Sequence, residues 1–187
     1  MGTRNLTMVM LDGKYVVAQY GQWDGYPSGQ GMLALLFLRN MNRELFENRC
    51  RATVFSSQER WDEIERLKDN EDGFLKMYPQ VSRDTAARIL EFIQNSPEGL
   101  QIELVDNSEF AEDSLFCEWA YVIDLDKNML EVFVGNNKKK LPKKARFFSL
   151  GSKVSNGTTY YPVKLKVAFD LNNLPSDEEF IKKAGGK

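Results

Sequence analysis

Asn5-Leu-Thr-Met-Val-Met-Leu-Asp-Gly-Lys-Tyr-Val-Val-Ala-Gln-Tyr20 runs without a break into Gly21-Gln-Trp-Asp-Gly-Tyr-Pro-Ser-Gly-Gln-Gly31, and these two stretches decide the fold. Two runs rich in Val, Tyr, Leu and Met flank Asp12-Gly13. Asp-Gly between such runs is a strong hairpin signal, because both residues tolerate the positive φ of a tight turn. The expectation is a strand over 4–11, a turn at 12–13 and a strand over 14–20. Gly21, Gly25, Gly29 and Gly31, with Pro27 and the aromatics Tyr20, Trp23 and Tyr26, then mark a compact connection into an apolar, helix-like segment.

That segment begins with Met32–Leu38, an unbroken apolar run, and Met41, Leu45, Phe46 and Arg49 continue at helical spacing. The pattern predicts one buried helix from about 30 to 49. Ser56 and Glu59 form a capping box for a helix over about 57–69 with Trp61, Ile64 and Leu67 as its stripe, ending in the polar run 69–73. Ser82 reads as the N-cap of a third helix whose stripe is Ala86, Ile89, Leu90 and Ile93, stopped by Pro97 and Gly99. From residue 100 the pattern turns to strands, at 100–105, 116–125, 129–134, 147–150 and 160–169, with a hairpin at 126–128. Ser176 and Glu179 then cap a short helix ending at Gly185-Gly186. An N-terminal β-hairpin, a helical middle segment, an antiparallel β-meander and a short C-terminal helix make an α+β fold. One domain over 1–187 is expected, with the segment about 30–97 as a candidate subdomain.

The chain has 187 residues, 42% hydrophobic and 28% charged, with a net charge of −2, enough for one core without disulfide or metal staples. Its longest apolar run falls short of the ~20 residues that a membrane span requires, so no membrane partner is expected. No apolar leader opens it, and Leu6 stands where a myristoylation motif wants Ser or Thr. Cys50 and Cys117 read as reduced thiols, which points to a cytoplasmic location. There is no histidine at all, which removes Ser-His-Asp and Cys-His catalysis and nearly all zinc sites. No metal or cofactor is expected, and catalysis is the less favoured class.

The candidate ligand-binding residues are Tyr20, Gly21, Gln22, Trp23, Asp24, Gly25, Tyr26, Ser28, Gly29 and Gln30. Glycine amides at a helix start can cradle an anion. Trp23 and Tyr26 can stack on a planar ring, and Gln22, Asp24 and Gln30 can read its edge. The pattern is neither a Walker loop nor G-x-G-x-x-G. The competing reading is a structural connection with Trp23 as a buried plug.

Lys138, Lys139, Lys140, Lys143, Lys144 and Arg146 put six positive charges into nine residues, either a nucleic-acid or phosphate contact or a solvated loop. Glu98, Glu103, Asp106, Glu109, Glu112, Asp113 and Glu118 form an acidic counterpart, of the kind that inhibitors of nucleic-acid enzymes use. Cys117 has no basic neighbour and reads as a buried structural thiol. Asp124-Leu-Asp126-Lys-Asn128 opens like a calcium loop but carries Met129 where that loop needs Gly, so it reads as a turn.

The pieces Gly2-Thr-Arg-Asn-Leu-Thr7, Asp12-Gly-Lys14 and Val17 through Gly31 resemble the opening of a family of uncharacterised bacterial, phage and fungal proteins, over roughly residues 2–35. The resemblance implies an intracellular accessory protein, and in a phage or prophage setting a factor that interferes with a host system. More loosely, the opening resembles N-terminal nucleophile hydrolase topology, which would make Thr3 the nucleophile and Arg4 its basic neighbour. The leading expectation is a non-catalytic binding protein whose partner is a small anionic, nucleotide-like ligand or a host protein. The alternatives are that hydrolase, and an inhibitor of a nucleic-acid enzyme acting through a charged face.

Overall fold

The computed structural model describes residues 2–66, 74–75 and 77–185. In chain order the elements are β1 (Asn5–Leu11), β2 (Lys14–Gly21), α1 (Met32–Asn40), α2 (Arg43–Arg51), β3 (Thr53–Phe55), α3 (Gln58–Arg66) and α4 (Ile89–Gln94). They continue with β4 (Ile102–Leu104), β5 (Trp119–Asp124), β6 (Met129–Val134), β7 (Lys153–Ser155), β8 (Thr158–Tyr160), β9 (Lys164–Asp170) and α5 (Asp177–Ala184). The fold is α+β and includes the C-terminal helix. Among the described residues no helix is long and apolar enough to cross a membrane.

The sheet order is β2-β1-β5-β6-β9. The hairpin β1/β2 and the meander β5-β6-β9 are the two antiparallel units expected, and a parallel pairing of β1 with β5, Asn5 opposite Trp119, fuses them into one mixed sheet. Asp12 (φ 53°) and Gly13 (φ 75°) make the tight turn, and both of their amides donate to the Asp126 carboxylate, at 2.8 and 2.9 Å. One face of the sheet carries Val9, Leu11, Val17, Tyr121, Ile123 and Val132 against α1, α2, α4 and α5, whose Leu35, Phe46, Leu90 and Phe180 are wholly buried. The other face carries Leu6, Met8, Ala18, Val122 and Phe133 beneath irregular chain that contributes Ala111, Cys117, Phe147 and Val163. Burying each large apolar side chain is worth roughly 1.5–3 kcal/mol, so both faces stabilise the sheet.

Several elements differ from expectation. The helix over 30–49 is two: a π-helical turn spans Pro27–Gly31, α1 ends at Asn40, and Met41 is extended (ψ 129°). Asn42 then caps α2, its side chain accepting from the Leu45 amide at 3.1 Å. An Asn in mid-helix competes for backbone groups, so the chain gains more from a cap than from continuity. Ser57, not Ser56, caps α3 by accepting from the Arg60 amide, while Ser56 donates to Glu103. The expected end of that helix, Leu67–Asp69, and the polar run to Gly73 lie outside the described residues, as does Gly186.

Ser82 accepts from the Asp84 amide, but a helix forms only from Ala86, whose positive φ (42°) interrupts the run; 3₁₀ turns lead into α4. The strand expected at 100–105 shortens to β4, which pairs in parallel with β3 as a separate ribbon. That expected at 116–125 starts at Trp119, because 113–117 forms turns. Residues 147–150 form turns instead of a strand, anchored by the buried Phe147. Pro162 splits the expected strand at 160–169 into β8 and β9, since it has no amide for a ladder. Ser176 caps α5 and Gly185 (φ 78°) closes it, as the sequence indicates.

Candidate functional site

The loop 20–31 covers the end of the sheet where β1 begins and β2 ends, and backbone carbonyls of the loop and its neighbours take up several of its amides. The amides of Gln22, Gly25, Gln30 and Gly29 donate to Arg83, Thr3, Asp24 and Tyr26 carbonyls at 2.8–2.9 Å. Gly31 adds a longer bond to the Tyr26 carbonyl, at 3.3 Å. The expected anion cradle of free glycine amides is therefore absent at these positions, because the tight loop needs those donors to hold its shape.

The glycines permit close approach instead. A Cβ at Gly31 would stand 2.8 Å from the Tyr121 ring, and one at Gly25 would stand 2.6 Å from the Thr3 carbonyl. The Tyr121 hydroxyl donates to the Gly25 carbonyl at 2.8 Å. The buried Gln30 carboxamide accepts from the Ala87 amide at 3.2 Å, tying the loop to α4's approach. Gly21 packs against Ala86, and Asp24 takes a left-handed φ of 53° beside Gly29. Trp23 is not a buried plug: the residue is half exposed, and its ring passes close to Gly2. Tyr26, Asp24 and Ser28 are exposed on the outer side.

Beside this loop lies a cleft of about 600 Å³, bounded by Tyr20 and Trp23, by Trp61 of α3, and by residues 80–84 and 105–107. Two of its lining residues are more than nine-tenths buried, and each holds a side-chain atom closed off from solvent with no hydrogen-bond partner among the described residues: Trp61 Nε1 and Gln80 Oε1. The Gln80 amide is oriented by its Nε2, which donates to the Glu103 carbonyl at 2.9 Å and leaves Oε1 as the spare acceptor. Glu103 is in turn gripped by Arg60 at 2.9 and 3.0 Å, and that pairing holds its carboxyl below the usual range. Gln19 donates to the Tyr20 carbonyl, and Asn107 fastens the opposite wall to the Ala18 carbonyl. The Tyr20 hydroxyl donates to Gln22, its ring meets Phe110 edge-on at 5.1 Å, and burial pushes its pKa up. Among the described residues of the lining, Glu65, Arg83 and Asp84 are the charged ones.

Each unpaired buried polar atom costs about 1–3 kcal/mol. The lining of this one cleft thus includes a residue with an unpaired donor, Trp61, and one with an unpaired acceptor, Gln80, beside the aromatics Tyr20 and Trp23. Tyr20 and Trp23 are the residues of the expected site that line it; Trp61, Gln80 and Asn107 are additions. The sequence carried one sign of them, Trp61, which its helical spacing explained equally well as core.

Thr3 and Arg4 lie elsewhere. Thr3 is buried, in peptide linkage with Gly2, its carbonyl engaged by Gly25. The Arg4 guanidinium lies 4.5 Å over the Phe116 ring, and its amide donates to Glu118. In the basic run, Lys138, Lys139, Lys140, Lys143 and Lys144 are exposed, with Lys138 5.7 Å over the Tyr160 ring. Arg146 leaves that run and turns inward, its side chain 8% exposed, to pair with Asp124 and Glu131. The acidic stretch is partly neutralised by Arg60 on Glu103 and Lys153 on Glu112. Cys50 and Cys117 are free and buried, and burial pushes both thiols far up. Asp124–Asn128 is a turn, and among the described residues no group of carboxylates and thiols could hold a metal.

No family model, no curated protein and no solved structure matches this chain.

Proposed function

We propose that this chain is a binding protein that takes a small planar ligand in the cleft between Trp23 and Trp61. The observation that carries the reading is that two residues of its lining each hold a buried atom without a partner among the described residues, Trp61 Nε1, a donor, and Gln80 Oε1, an acceptor. A ring with a carbonyl beside an N–H, the edge of a uracil or hypoxanthine, offers a partner to each once the Trp61 and Gln80 side chains turn toward the cleft, while Trp23 and Tyr20 offer faces for stacking. The loop glycines shape the rim. Arg83 is the cation among the described residues of the lining, so a phosphate on the ligand projects toward it or into solvent.

Two of the three tryptophans line the cleft, so indole fluorescence reads occupancy directly. Uridine and inosine are the probes, alongside native mass spectrometry of protein purified from cells. Saturable quenching that weakens about tenfold in Trp61→Phe, as loss of one buried hydrogen bond dictates, supports the reading. A bare protein by mass spectrometry together with no quenching by either nucleoside overturns it.

A further inference from the structure

The face of the sheet away from the helices holds a second cleft, of about 610 Å³, between the strands and the segment 141–147. Two β-bulges aim side chains into it. The β1/β2 register shifts after Val9, so that Val17 faces Val9 while Tyr15 faces Met10. Val16 is the extra residue and joins Val17 in the helical-side core, returning Tyr15 to the other face. The β6/β9 register shifts after Val132, with Lys166 as the extra residue, and this brings Leu165 opposite Phe133. Bulges bend a strand to re-aim a side chain. Here both edges of the sheet use one, and Tyr15 and Leu165 both line the same cleft.

The floor is apolar: Phe133 and Phe147 meet edge-to-face at 4.9 Å, with Met10 and the buried Val163 beside them. Leu165 remains 54% exposed, an apolar side chain in an edge strand between two lysines. The charges are lopsided. Lys127, Lys144, Arg146 and Lys164 line the cleft against a single acid, Glu131, on a chain of net charge −2. Arg146 is committed to Asp124, Glu131 and the Tyr15 hydroxyl, and Lys127 lies 3.8 Å from Asp124. Lys144 and Lys164 have no ion pair among the described residues.

We propose that this cleft binds an amphipathic carboxylate, a medium-chain acyl anion whose tail covers Leu165, Phe133 and Phe147 and whose head is met by Lys144 and Lys164. An apolar floor alone would take any hydrophobe; two uncommitted cations on an acidic chain select a negative head. The site is independent of the cleft at Trp61, so the failure of either leaves the other standing.

The test is isothermal titration with hexanoate, octanoate and decanoate, and with decylammonium as the charge-reversed probe. Each methylene that leaves water strengthens binding about fourfold, so affinity should climb along the series. Decylammonium should bind at least tenfold more weakly than decanoate. Lys144→Glu with Lys164→Glu should weaken decanoate by about tenfold, two surface ion pairs being lost, with an unchanged melting temperature showing that the fold survives. Leu165→Asn, an exposed substitution, should flatten the dependence on chain length. Affinity that ignores chain length, decylammonium binding as tightly as decanoate, or a double lysine variant that binds decanoate unchanged would overturn the proposal.

Discussion

Replacing Arg146 with Met keeps much of the side-chain volume while stranding two carboxylates that the fold has taken out of water. The Asp124 side chain is 1% exposed and that of Glu131 14%, and each receives a charge-assisted bond from the guanidinium. Removing one partner of a buried ion cluster costs roughly 3–5 kcal/mol, because the stranded charge keeps its desolvation penalty. Lys127, 3.8 Å from Asp124 and largely exposed, offsets little of this. A loss of about 4 kcal/mol at neutral pH is therefore expected, a large share of the 5–15 kcal/mol of a typical domain.

The sign of the pH dependence is set by Asp124. Burial by itself raises its pKa, but the Arg146 hydrogen bond, helped by the Lys127 amide, outweighs burial and leaves it lowered. A lowered carboxyl contributes stability above its unfolded pKa of about 3.9 and loses it as pH falls through the folded value. Without Arg146 the burial effect is opposed only by the Lys127 amide and ammonium, the carboxyl takes up a proton more readily, and the variant recovers part of its deficit in mild acid. Urea unfolding of both proteins at about pH 7 and about pH 4.5 measures this. A deficit under about 1 kcal/mol, or one that is equal at both pH values, refutes the reasoning.

Two further outcomes are expected. Gly31→Ala should lower stability by about 1–3 kcal/mol, since its Cβ meets the wholly buried Tyr121 ring at 2.8 Å, and an unchanged melting temperature would show that the ring can yield. Asn42→Ala should cost about 1 kcal/mol in urea unfolding through loss of the α2 cap; no change would mean that the break between α1 and α2 has another cause.

Sequence reading succeeded where the signal is local. Asp12-Gly13 carries its turn in two residues, and Ser176 with Glu179 and Gly185 marks both ends of α5. It fell short where structure depends on distant partners. Thr53-Val-Phe55 is a strand only because Ile102–Leu104 lies alongside, and no periodicity can show in three residues. Asn42 caps α2 inside a stretch whose apolar spacing, Met41 before it and Leu45 and Phe46 after it, reads as one continuous helix. At the site, Trp23 drew notice by composition, whereas Gln80 looks like any polar loop residue until burial and an unpaired oxygen single it out. Arg146 looked like one more charge in a basic run, and only the sheet carboxylates reveal why it turns inward.

The parallel seam between β1 and β5 also sets a schedule for synthesis. Arg4 and Glu118, which meet at its start, are 114 positions apart. At the ribosome's pace of about 5–20 residues per second, on the order of ten seconds separates the hairpin's emergence from that of the strand that completes its inner edge. Through that interval β1 carries Leu6, Met8 and Val9, all wholly buried in the finished sheet, along an open edge. Closure over so long a loop is intrinsically slow, so the nascent hairpin keeps an unpaired edge and exposed apolar side chains until β5 arrives.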